Sequence, residues 1–175
     1  GTVSGDDPNI YLNLAQTRKP KASTYKYLYI DMDFQGSGLS LMQVLWSNAV
    51  NVGMTGFIDV YTGRRVYAVD LSSFSLWDGD ISWLRIDPSS VNQSKVKIYS
   101  VILSSLANPG MVDDSDQSYA GSWLDSKWDM TSEDQLSAVT NFSSYSFQNG
   151  CFEGISSNED PQLIFKLNPQ KFIET

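Results

Sequence analysis

The sequence predicts an all-β protein. Short runs in which β-branched or aromatic residues alternate with polar ones recur along the chain, and Gly, Asn, Asp, Pro and Ser separate them. No long stretch shows the apolar period of an amphipathic helix. With 175 residues, of which 41% are hydrophobic, the chain is long enough to bury one substantial core. These observations favour packed sheets around a single core.

The clearest strand prediction falls on residues 25–34. The apolar residues at even positions from 28 to 34 alternate with Tyr and Asp side chains, so they are expected to share the core-facing side of one strand. Residues 39–46 fit either a strand or a short helix by periodicity alone. Glycines on both sides of that segment favour a strand.

The next runs continue the same pattern. Residues 56–61 and 66–71 are separated by a Thr-Gly-Arg-Arg connection and are expected to form a hairpin or strand pair. Residues 81–86 alternate again, which predicts that Arg85 points away from the core as a solvated or salt-bridged side chain. Residues 96–103 are strongly β-branched and predict a further strand.

The C-terminal part follows a segment without apolar rhythm. Residues 108–122 contain Pro109-Gly110 and several aspartates, which predicts a linker. Residues 131–136 carry a capping pattern that predicts one helical turn. Asn149-Gly150 predicts a turn between two paired strands, and the lone Cys151 is expected to be a small buried side chain.

The two ends of the chain carry a duplicated motif. Residues 5–12 and 154–165 each contain a glycine, a polar turn, Asp-Pro, an amide side chain and an apolar run. This spacing predicts one period of a tandem repeat, with two sub-cases: an excerpt from a longer array, or subunits that complete each other with donated strands. If subunits donate strands to each other, the two copies of the motif compete for equivalent strand positions.

Composition excludes several classes of function. The chain has no histidine, which removes the Ser-His-Asp triad, a Cys-His pair, a His general base and His-ligated zinc. A single cysteine allows no intrachain disulfide. A net charge of −8 argues against nucleic acid or an anionic membrane surface as a partner. No apolar run is long enough to predict membrane insertion.

Several motifs resemble one known family. They are the core-type pattern Trp77-x-Gly79-x-Ile81 leading to Asp87-Pro88, the opening-type elements Trp128-Asp129-Met130 and Asn149-Gly150, and the segment 154–161. The chain is similar to the galactose-binding-like jelly rolls that occur as carbohydrate-binding-module-like repeats in bacterial surface and secreted proteins. The resemblance implies a β-sandwich of the jelly-roll type in permuted or strand-exchanged order.

The same resemblance suggests the domain organisation. Residues 1–107 correspond to the later strands of a jelly-roll module, residues 108–122 to a linker, and residues 123–175 to the opening strands of the same permuted module or of the next one. It also implies an extracellular or cell-surface location.

Sugar sites on β-sandwiches need exposed aromatic faces beside polar side chains. The carbohydrate-binding candidates outside the predicted core are Tyr61, Tyr119, Trp123 and Trp128. The family resemblance gives Trp128 an alternative role, because the matching Trp-Asp element is structural there.

The acidic residues favour a metal site over a catalytic site. Asp114, Asp116 and Asp125 have a spacing that resembles a calcium-binding loop, although Tyr119 stands where that loop requires glycine. Solvated acidic turns are the alternative. Pairs such as Asp31 and Asp33 have the residue type that glycoside hydrolysis needs, but nothing in the sequence marks a cleft.

The predicted function is therefore a non-catalytic, extracellular structural or adhesive repeat that polymerises by strand exchange and contacts carbohydrate. Its expected partners are copies of itself, adjacent repeats and glycans. The first alternative is a monomeric carbohydrate-binding module appended to a secreted enzyme, and the second is a glycoside hydrolase.

Overall fold

The computed structural model describes residues 19–107 and 126–167. The regular elements in these ranges are strands and two short 3-10 turns, which confirms the all-β prediction. The strands are β1 (Tyr27–Gln35), β2 (Ser40–Ser47), β3 (Val52–Met54), β4 (Ile58–Val60), β5 (Gly63–Asp70), β6 (Trp83–Asp87), β7 (Lys95–Ser104), β8 (Ser126–Trp128), β9 (Leu136–Thr140), β10 (Phe142–Gln148), β11 (Cys151–Ser156) and β12 (Gln162–Phe165).

The strands form two antiparallel six-stranded sheets that face each other across one core, as in a β-sandwich. Sheet I has the order β10-β11-β7-β1-β5, with β8 also beside β7. Sheet II has the order β3-β2-β6-β12-β9, with β4 also beside β2. The jelly-roll character of this order remains a prediction.

The C-terminal segment contributes to both sheets. In sheet I, β11 and β8 pair with different stretches of β7. In sheet II, β12 lies between β6 and β9. Strands on both sides of the predicted linker 108–122 therefore belong to the same two sheets. The linker itself and the N-terminal copy of the duplicated motif lie outside the described residues.

The core contains the side chains that the alternation in residues 25–34 predicts. Leu28, Ile30, Met32 and Phe34 are all fully buried. Residues 39–46 form most of β2, so the strand interpretation is confirmed there. Arg85 is salt-bridged on the face opposite Leu84 and Ile86, also as predicted.

Two tryptophans pack against each other at one end of the core. Trp46 and Trp77 are buried and meet edge to face, with ring centroids 5.3 Å apart. Trp46 Nε1 donates to the Leu76 carbonyl at 2.9 Å, and Trp77 Nε1 donates to the Tyr25 carbonyl at 2.8 Å. Both indole N–H groups are thus satisfied inside the sandwich, which removes the cost of burying them.

The hairpin expected from residues 56–61 and 66–71 was wrong. The first run becomes β4, which pairs with β2 in sheet II, and the second becomes β5, which pairs with β1 in sheet I. Val60 and Tyr67 both point into the core, but from opposite sheets. The chain crosses between the sheets at Gly63, whose φ of 97° a side chain would disfavour.

The two local predictions in the C-terminal part are confirmed. Asn149 and Gly150 have φ values of 54° and 73° and connect β10 to β11 in a tight hairpin. Glu133–Gln135 form a single 3-10 turn, and Ser132 caps it by accepting a hydrogen bond from the Asp134 backbone N–H. Positive φ at both hairpin positions is typical of a type I′ turn.

A chain of buried serines joins the sheets at the other end of the sandwich. Ser40 in β2, Ser89, Ser94 and Ser156 in β11 are each at most 2% exposed. Successive hydroxyl oxygens along this chain lie 3.0, 2.9 and 3.1 Å apart. Their mutual hydrogen bonds satisfy polar groups that would otherwise destabilise the core. The sequence pattern alone did not predict this feature.

Gly53 is expected to tolerate no side chain. A Cβ at this position in β3 would overlap the ring of Trp46, whereas a Cβ at Gly56 would meet nothing within 4 Å. Gly53→Ala should therefore lower the free energy of unfolding by about 1–3 kcal/mol through overpacking. Gly56→Ala is the matched control and should change it by less than about 0.5 kcal/mol. Urea titration followed by tryptophan fluorescence compares the two, and equal effects would contradict the packing of Gly53 on Trp46.

Candidate ligand-binding face

The outward side of sheet II, called here the outer face, carries apolar, aromatic, charged and amide side chains. Alternate residues of a strand lie on opposite sides of a sheet, so the register assigns this side directly. Its inward counterparts Met42, Val44, Leu84 and Ile86 are fully buried. The outer face carries Leu41, Gln43, Leu45, Val52, Met54, Asp59, Trp83, Arg85, Asp87, Gln162 and Ile164.

Arg85 is the centre of a polar cluster on the outer face. Its Nε and Nη2 donate to the two carboxylate oxygens of Asp87 at 2.6 and 2.8 Å. Nη2 also donates to Asp160 Oδ1 at 3.0 Å, and Gln162 Nε2 donates to the other Asp160 oxygen at 2.6 Å. A bidentate guanidinium–carboxylate pair fixes both groups in one plane. The cluster is thus rigidly oriented before any ligand arrives.

Burial raises the pKa of Asp87 above its usual value, even though the Arg85 guanidinium beside it acts in the opposite direction. The Asp87 side chain is 13% exposed, while the Asp160 side chain is 56% exposed. Asp87 therefore serves mainly to hold Arg85. Asp160 and Gln162 present the accessible hydrogen-bonding groups on this part of the outer face.

Two aromatic side chains lie near opposite ends of β2: Trp83 on the outer face, and Tyr61 in the connection that follows β4. Trp83 is partly exposed in β6, opposite Ser47 of β2. Tyr61 is 50% exposed, and its hydroxyl donates to Asp59 Oδ2 at 3.4 Å. Asp59 lies opposite Leu41 of β2. The β2 residues from 41 to 47 span roughly 20 Å, which sets the separation of the two aromatic ends.

Tyr61 is a predicted carbohydrate-binding candidate that the structure places on the surface. The guanidinium of Arg65 lies 5.5 Å from its ring centroid, within the range of a cation–π contact. Trp83 was missed by the sequence reasoning. The alternation in the sequence does contain this information. Trp83 is an odd-numbered position like Arg85 and Asp87, so it lies on the side opposite Leu84 and Ile86.

Trp128 requires a correction, because the structure places it in the core. It is 2% exposed, and its ring meets Phe165 edge to face at 5.4 Å. Its Nε1 donates to the Lys166 carbonyl at 3.0 Å. No ring face is left for a sugar, so Trp128 has the structural role that was its alternative. The other two aromatic candidates, Tyr119 and Trp123, lie outside the described residues.

The calcium candidates Asp114, Asp116 and Asp125 also lie outside the described residues. Within the ranges that the structure describes, no group of three or more His, Cys, Asp or Glu residues is placed to hold a metal ion. The calcium site therefore remains a prediction without a described location.

The aspartate pair of β1 lies on the outward side of sheet I. Both carboxylate oxygens of Asp31 accept from Arg64, at 2.9 and 2.6 Å, and Arg64 in turn stacks 3.8 Å above the ring of Tyr99. Asp33 accepts from Gln35 Nε2 at 2.9 Å. These contacts give the pair a structural use on the sheet surface.

Cys151 is buried at the start of β11, as predicted. Burial raises the pKa of its thiol, the neighbouring Lys97 acts in the opposite direction, and Glu153 adds a smaller upward influence. A protonated, 4% exposed thiol should be a poor nucleophile.

Comparison with known proteins leaves the function to be argued from the site. No family model matches the chain, and neither curated proteins nor solved structures contain a match. The resemblance to galactose-binding-like modules therefore remains a prediction. Among the residues that the structure describes, no helix has the length and apolar character needed to cross a membrane.

Proposed function

We propose that this chain is a non-catalytic structural or adhesive module of an extracellular protein, and that it contacts carbohydrate through the outer face of sheet II. One observation carries the proposal. The outward side of sheet II carries Trp83 and an oriented Arg-Asp-Gln cluster beside it, and the exposed Tyr61 follows β4 near the other end.

The chemistry of the outer face suits a sugar chain. The C–H faces of pyranose rings pack against partly exposed aromatic rings, here Trp83 and Tyr61. Sugar hydroxyls both donate and accept, and the Asp160 carboxylate and the amides of Gln43 and Gln162 offer both kinds of partner. A flat surface about 20 Å long fits several sugar units in a row better than one enclosed monosaccharide.

The carboxylates on this surface support binding over catalysis. Glycoside hydrolysis needs one carboxyl group free to protonate the leaving oxygen and a second free to attack or to activate water. Both oxygens of Asp87 are engaged by Arg85, and Asp160 is tied to Arg85 and Gln162. A glycoside hydrolase is therefore the less favoured alternative.

A second candidate function is a monomeric carbohydrate-binding module appended to a secreted enzyme. The observation that favours it is the pairing of β11 and β12 with strands of the same chain, which completes both sheets without a donated strand. Polymerisation by strand exchange depends on the duplicated ends, and residues 5–12 lie outside the described residues. It stays a proposal.

The test is glycan binding by the purified chain, first on an array of soluble and surface glycans and then by titration. Trp83→Ala should weaken binding by about tenfold or more, because covering one aromatic face contributes about 1.5 kcal/mol or more. Tyr145→Ala is the control, since this 42% exposed aromatic lies in β10 of sheet I. Absence of glycan binding by the wild type, or equal effects of both variants, would overturn the assignment.

A further inference from the structure

One edge of sheet II is formed by β3 and β4, which pair with successive stretches of β2, and β9 forms the other edge. β3 pairs with β2 on one side. No strand lies on its other side among the described residues. An edge strand of this kind offers unpaired backbone groups to another chain. The chemistry of the edge then determines which partner fits.

The hydrogen-bond pattern identifies the backbone groups that are available. The Thr55 N–H donates to the Val44 carbonyl at 2.9 Å, and the Asn48 N–H donates to the Asn51 carbonyl at 3.2 Å. In an antiparallel pair, alternate residues turn their N–H and C=O toward the neighbour. The backbone groups of Val52 and Met54 therefore point away from β2, toward the free edge.

The side chains of this edge are apolar and exposed. Val52 is 55% and Met54 is 53% exposed, and the stretch from position 50 to position 58 contains no charge and no proline. Charges and prolines are the usual means of protecting an edge from pairing. By contrast β5, an edge strand of sheet I, carries Arg64 and Arg65.

We propose that β3 pairs antiparallel with β3 of a second copy of this chain about a two-fold axis. Gly53 then lies opposite Gly53 of the second copy, and Val52 lies opposite Met54 of the second copy on both sides of the axis. This register uses the free N–H and C=O of Val52 and Met54, and each apolar side chain meets another.

The symmetry explains why a second copy fits this edge. On a two-fold axis any charge lies close to its own copy, and like charges there destabilise an isologous contact. β3 has no charge to repel. The inference rests on the proposed structural or adhesive role and deepens it, because the two outer faces would lie side by side in one continuous sheet.

Sedimentation velocity from micromolar to millimolar concentration tests the pairing. The wild type should shift toward twice the monomer mass as concentration rises. Met54→Lys should raise the dimer dissociation constant by roughly tenfold or more, because it places a charge in an apolar cross-strand pair. Leu39→Lys is the matched control, since Leu39 is also 55% exposed but lies outside the edge.

A second variant separates the backbone contribution from the side chain. Val52→Pro removes an N–H that faces the second copy and not β2, at the first residue of an edge strand, where proline is tolerated. It should weaken the dimer as Met54→Lys does, with thermal unfolding as the check that both variants fold.

Two outcomes would overturn the pairing: a wild type that stays monomeric at every concentration, or folded variants that dimerise as the wild type does. Glycan titration of the wild type distinguishes this failure from failure of the carbohydrate role. Trp83-dependent binding by a wild type that stays monomeric at every concentration would overturn the edge pairing alone.

Discussion

Replacing Leu163 by alanine is expected to lower the free energy of unfolding by about 2–5 kcal/mol, because it leaves a cavity in the middle of sheet II. Leu163 is fully buried in β12, which lies between β6 and β9. Ile164→Ala is the matched control, since the neighbouring side chain lies partly exposed on the outer face. It should cost less than about 1 kcal/mol.

Urea unfolding followed by tryptophan fluorescence measures both variants under the same conditions. A larger loss for Ile164→Ala than for Leu163→Ala would contradict the register of β12, because a shift by one residue exchanges the two faces of a strand.

Replacing Trp128 by alanine is expected to cost about 3–5 kcal/mol, since the side chain is buried and its removal empties a large volume next to Phe165. Trp128→Phe keeps an aromatic ring but loses the hydrogen bond from Nε1 to the Lys166 carbonyl. That change should cost about 1 kcal/mol, because a part-buried hydrogen bond is lost.

The same two variants test the role of Trp128 in glycan contact. With Trp128 in the core, Trp128→Phe should bind glycan as the wild type does while it is folded. Any loss of glycan binding in Trp128→Ala should match the fraction of the protein that is unfolded. A fully folded Trp128→Ala that binds no glycan would place this side chain on the ligand surface instead.

Much of the strand content was predictable because alternation is a local property. The four inward residues of β1 and the Asn149-Gly150 turn depend on neighbours in sequence, and both predictions were confirmed. Partner choice is not local. Residues 58–60 and 63–70 alternate as a hairpin would, yet they join different sheets because each completes a different side of the core.

The prediction of the candidate site was limited in the same way, because contacts between distant strands are not a local property of the sequence. The exposure of Tyr61 was predictable because it follows a short strand at a turn. Trp128 is covered by Phe165 of β12, which is distant in sequence, and its indole N–H donates to the Lys166 carbonyl. Arg85 could be assigned to the outward side from parity alone. Its contact with Asp160 depends on the pairing of β6 with β12, which the sequence pattern does not specify.

The most direct test of the whole account is amide hydrogen exchange of the monomeric fraction, measured residue by residue by NMR. The central claim is that residues 126–167 complete both sheets begun by residues 19–107. The account predicts that the interior amides of β12 exchange as slowly as those of β6 and β7, through global unfolding. Exchange of the Leu163–Phe165 amides as fast as that of exposed loops such as residues 36–39 would contradict it.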